Sequence, residues 1–173
     1  MKIIEKIVKI CAKAVSYISF VGIALGVAFV VVDVILRYVF QNPIHGDYDI
    51  TQLWLCVIIM AAMPYVQVNK GHINVTMAIK RLPVRPAMVI FAIATVFGAA
   101  MSIICAYACF SLAMKSFARN MVSMTAMIPY GPFEIFEGVC MALLGLVMLV
   151  DAVYYFMASS NEEKCKEIID SWA

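Results

Sequence analysis

Arg37, His45, Asp47, Asp49 and His72 crowd into one stretch, RYVFQNPIHGDYDITQLWLCVIIMAAMPYVQVNKGH. If these side chains converged, the guanidinium could bind an anionic solute, and the imidazoles and carboxylates could relay protons or hold a metal. Asp33 stands one helical turn before Arg37, at the spacing of an i,i+4 ion pair. Its simpler reading is a counter-ion to an Arg that snorkels to the interface. Glu134, Glu137 and Asp151 lie in a later apolar segment. Six cysteines (11, 56, 105, 109, 140 and 165) form no CxxC pair, and four sit in apolar runs. They read as small packing residues rather than as a disulfide framework or a zinc site.

The elements that would position these groups are membrane spans. Of 173 residues, 65% are hydrophobic and 14% charged, with mean hydropathy +0.95. A soluble domain is about half apolar and a quarter charged. No basic stripe interleaved with aromatics points to nucleic acid.

The chain reads as an all-α membrane protein, one domain of four transmembrane helices at about 14–38, 50–69, 86–114 and 131–158. Ala14 to Val32 alone carries no charge over 19 residues, roughly 28 Å of helix. Residues 1–13 place Ile3, Ile4, Ile7, Val8 and Cys11 opposite four lysines, as an interfacial amphipathic helix does. A second interfacial helix is expected over 73–82, although its residues also alternate in part like a strand. Residues 159–173 form a tail, with Ser160 and Glu163 as a capping box and one apolar face beyond.

Within the spans, Gly22 and Gly26 make a small-xxx-small step. Ala94, Gly98, Ser102 and Ala106 form a longer small-residue ridge that marks a helix-packing face. Pro64 implies a kink in the second span. Asp49 with Gln52 resembles a capping box at that span's start.

Lys and Arg counts set the expected orientation. The N-terminus, the 69–86 connection and the tail hold 4, 4 and 2, whereas the 37–49 and 115–130 connections hold 1 and 2. The positive-inside tendency therefore places both termini in the cytoplasm. This separates the apparent cluster: Arg37, Asp47 and Asp49 lie outside and His72 inside, so His45 and His72 cannot share a metal or a haem. Every acid can be placed near the end of a span, and no pair of broken spans marks an inverted-repeat transport site. Neither a catalytic set nor a cofactor site emerges. Glu134 and Glu137 begin span four on Arg37's side, which makes an Arg37 bridge to one of them a hypothesis.

RYVFQNPI, the acidic GDYDITQLW that opens the second span, and VNKGHINV after it resemble the small membrane subunit of tripartite ATP-independent periplasmic (TRAP) transporters, the DctQ-type family. Arg37, Tyr38, Phe40, Pro43, Asp49, Trp54, His72 and Ile73 fill the family's pattern. The resemblance implies a bacterial inner-membrane scaffold for a large multi-span permease subunit. That partner would carry the substrate and sodium sites, and a periplasmic solute-binding protein would deliver a solute, often a carboxylate. Two other readings are a small membrane anchor of another complex (a tricarboxylate uptake system or a redox complex) and a stand-alone carrier or enzyme. Loops 41–49 and 115–130, with Asp47 and Asp49, are expected either to border the binding protein's docking surface or to be plainly solvated. Trp54 reads as an interfacial-belt residue ahead of a specific contact. His72 reads as a cap or a head-group neighbour, not a ligand.

Overall fold

The computed structural model describes the backbone of residues 2–42, 44–69 and 84–159, and side-chain surroundings at 10–42, 44–69 and 89–156. Four helices make up the described chain: α1 (Lys2–Val39), α2 (Asp47–Val68), α3 (Val84–Ala118) and α4 (Gly131–Ser159). All four are long and apolar enough to cross a membrane. The expected interfacial helix at 73–82, His72 and the tail features from Ser160 onward lie outside the described residues.

The apolar stretch beginning at Ala14 does not start a new helix. Helix α1 runs unbroken from Lys2, and nothing in its sequence between Lys2 and Val39 is a Pro to interrupt it. Pro86 falls in the first turn of α3, where backbone N–H groups have no intrahelical acceptor, so the ring removes nothing. Pro64 is inside α2 and fully buried. Neighbouring helices therefore cover the backbone it disrupts.

The helices pack as two antiparallel hairpins, in the spatial order α1, α2, α4, α3, with the broadest contact between α3 and α4. The residues α3 turns inward are Ala92, Ala99, Ser102, Ala106, Ala113 and Ser116. They alternate three and four apart, or a full seven. Gly131, Gly138, Gly145 and Ala152 repeat every seven along α4 and are all buried. That is the 3.5-residue period of helices that wrap around each other left-handedly.

The seam pairs knobs with glycine holes. A Cβ on Gly131 would lie 2.6 Å from the Phe117 ring, on Gly138 3.2 Å from the Phe110 ring, and on Gly145 3.0 Å from Ile103. The knobs step seven residues down α3 as the glycines step seven up α4. In lipid, where apolar side chains gain nothing by leaving the solvent, such close backbone approach is what drives helices together. The four-residue ridge is corrected here. Ser102 is buried and Gly98 meets Met148, but Ala94 is exposed. A strict period of four drifts off the contact line, whereas the alternating three-four period stays on it.

Candidate functional site

Polar side chains gather where the α1–α2 turn and the α3–α4 loop meet. Arg37, near the end of α1, donates from Nη2 to Asp33 Oδ2 at 2.8 Å and to Asp47 Oδ2 at 2.5 Å. Asp33 is the enclosed partner, with 8% of its side chain exposed against 48% for Arg37. Its second oxygen accepts the backbone N–H of Ile44 at 3.1 Å. One buried carboxylate thus fixes both an Arg and the turn. The sequence spacing foresees the Asp33–Arg37 pair, because one helical turn suffices to make it.

The bridge from Arg37 to Glu134 or Glu137 does not form. Asp33 and Asp47 take the guanidinium. Glu137 instead lies close to the thiols of Cys56 on α2 and Cys109 on α3. Glu134 has its Oε2 sealed within the protein, with no hydrogen-bond partner among the described residues.

The capping box is also corrected. Helix α2 begins at Asp47 after Gly46, which sits at φ +79° and makes no side-chain cap. Asp49 therefore stands within the first turn, and its carboxylate points to another element. Its Oδ2 accepts the backbone N–H groups of Thr125 at 2.8 Å and Ala126 at 3.1 Å. Gly46 is required there twice over, since a Cβ would lie 2.6 Å from that of Ala126 and the backbone is left-handed. No local pattern announces this link, because its partners are 76 and 77 residues away.

Trp54 has a specific contact. Its indole N–H donates to the Gly22 carbonyl at 2.8 Å. A Cβ on Gly26 would come within 3.0 Å of Trp54, and one on Gly22 within 2.9 Å of Ile58. The Gly22–Gly26 step is thus the bed on which the indole lies. Ser19 adds a 2.6 Å bond to the Ile58 carbonyl. Trp54→Phe should lose the hydrogen bond and the five-membered ring that lies on Gly26, lowering stability by about 1–3 kcal/mol. Gly26→Val should cost more by displacing the ring. Equal melting of both variants and the parent would show that the Trp54 contact does not hold α1 to α2. At the other end of the bundle Gln67 on α2 donates to Asp151 on α4 at 2.9 Å.

The candidate residues therefore fall into separate groups. Asp33, Arg37, Asp47 and Asp49 gather at one end. Trp54 of α2 packs against α1, Ser102 and Gly98 line the α3–α4 contact, and Glu134 and Glu137 sit along α4. Tyr38 is exposed beside the turn. The described residues contain no group of three or more His, Cys, Asp or Glu that could hold a metal. The glycine repeat of α4 escaped the sequence reading, although a search for small residues at period seven rather than four finds it.

A family model described as "Tripartite ATP-independent periplasmic transporters, DctQ component" matches residues 26–156. A protein of Haemophilus influenzae, assigned by name to the TRAP transporter small permeases, is 22% identical over 151 residues. The match covers 87% of this chain and 84% of the relative. No solved structure gives a significant match.

Proposed function

The chain belongs to the DctQ component family of tripartite ATP-independent periplasmic transporters, and on that premise we propose that it is the scaffold subunit of a sodium-coupled carrier for a carboxylate-type solute. In this reading it holds a large permease subunit in the bacterial inner membrane, with both its own termini cytoplasmic. A periplasmic binding protein brings the solute to the large subunit. One observation carries the scaffold role: most of the polar side chains that the sequence singles out and the structure describes are used to join helices and loops. Arg37 and Asp33 secure the α1–α2 turn, Asp49 ties it to the α3–α4 loop, Trp54 joins α2 to α1, and Asp151 joins α4 to α2 through Gln67. A carrier that bound its own solute would present converging polar groups to a cavity instead.

Co-expression tests this directly. The chain should copurify with a large multi-span permease encoded beside it. Vesicles holding both, supplied with the binding protein, should take up the solute only with an inward sodium gradient. Vesicles holding this chain alone should show no uptake above background. Solute uptake by the chain alone would overturn the scaffold role, and uptake indifferent to sodium would overturn the coupling.

A further inference from the structure

We propose that the α3–α4 loop, residues 121–128, is a membrane anchor whose methionine tip lies among the lipid head groups at its end of the bundle. This rests on the bundle spanning a bilayer and not on its role in transport.

The loop's side chains and its backbone argue in the same direction. Met124 is 97% exposed and Met127 74%, and Met121 and Val122 are also open. Such a tip is costly in water, where each buried methylene is worth about 0.8 kcal/mol. The backbone beneath it is unusually self-sufficient for an exposed loop. Ser123 N–H bonds the Ile128 carbonyl at 2.9 Å, and Tyr130 N–H bonds the Met121 carbonyl at 3.2 Å. Ile128 N–H meets the Ser123 hydroxyl, which is buried, and the Asp49 carboxylate takes the amides of Thr125 and Ala126. A loop surrounded by water could leave those groups to the solvent. With those groups already paired inside the protein, the loop can enter the less hydrated interface without leaving them unsatisfied.

Surroundings and charge select lipid as the occupant. The tip continues the apolar outer surface of α3, where Met114 and Phe117 are exposed. Lys115 and Arg119, at the loop's base, are exposed as well. Cations beside an apolar tip complement phosphate head groups, as in interfacial helices that bury their apolar face about 5–10 Å deep. Tyr38 and Tyr48, both exposed at the same end, fit the same layer.

Methionine oxidation of the unaltered chain tests the assignment. The chain alone is placed in nanodiscs of phosphatidylethanolamine and phosphatidylglycerol, which leave both membrane faces open to the water-soluble oxidant chloramine-T. Sulfoxide formation at each site is read by mass spectrometry against the unfolded chain. Met101, 47% exposed midway along α3, serves as the lipid-facing reference. Met124 should react about tenfold more slowly than in the unfolded chain and track Met101. Met124 reacting at the unfolded rate while Met101 is protected would overturn the anchor and leave the tip for a protein partner. Rapid reaction at both would overturn the bilayer-spanning premise and the anchor with it. A Met124→Trp variant gives a second reading that needs no oxidation. Its added emission should be quenched by lipids brominated near the head group and not by iodide, and the opposite pattern would defeat the anchor.

Discussion

Gly138→Leu is expected to break the α3–α4 pair. The glycine faces the Phe110 ring, and a single Cβ there already lies 3.2 Å from it. A leucine needs three further carbons in space the ring occupies. Either the ring leaves its place or the helices separate, at a cost of about 3 kcal/mol or more. Gly138→Ala should be much milder. The ring need shift only by a few tenths of an ångström, and alanine recovers about 1 kcal/mol of helix propensity. Helical content followed through thermal unfolding in lipid or detergent measures both. The knob-and-hole geometry also requires that Gly138→Leu combined with Phe110→Ala recover much of the loss, because the double variant returns volume to the same site. A Leu variant that melts with the parent would mean that the seven-residue seam does not hold the hairpin.

Arg37→Ala is expected to have the second large effect, at the opposite side of the fold. Removing the guanidinium leaves Asp33 enclosed with only the Ile44 amide as partner, and leaves Asp47 without its cation. An enclosed carboxylate stripped of its counter-ion destabilises far more than the intact pair stabilises. The variant should give a lower yield and melt earlier by on the order of 5 °C. Both bonds leave the same nitrogen, so the two-pronged geometry of arginine is not in use. Arg37→Lys should therefore recover part of the loss. Arg37→Met with Asp33→Asn should be less destabilised than Arg37→Met alone, since the enclosed carboxylate is then gone and only the more exposed Asp47 is left without a cation. Unchanged yield, melting and assembly in Arg37→Ala would remove the network from any structural role.

These two expectations differ in how far the sequence anticipates them. The Asp33–Arg37 pair is local, fixed by 3.6 residues per turn, and the chain's own spacing is enough to reveal it. The Gly138–Phe110 contact needs a partner helix and a register. The sequence carries a trace of it in glycines at 131, 138 and 145, but period four along α3 is the more visible pattern and points partly to the wrong face. Asp49 shows the limit most clearly. Three residues before Gln52, it matches a local cap, yet the fold brings the α3–α4 loop within reach and the carboxylate serves amides from distant residues. Trp54 behaves likewise: its depth near a span's end suggests a belt residue, and the neighbouring glycines of α1 give its indole an acceptor.

By itself, then, the sequence determined that the chain is four apolar helices, where the polar turns fall between them, and which known family its central stretch resembles. Hydropathy and helical period are properties of consecutive residues, and a bilayer leaves them little alternative to the helix. The tertiary structure alone decided that α2 and α4 lie between α1 and α3, that Arg37 also answers Asp47 and not Glu134, and that Asp49 ties two loops into one platform. Those outcomes depend on which small-residue faces fit closely enough to bring backbones together. In lipid that fit, rather than hydrophobicity, selects a helix's neighbours.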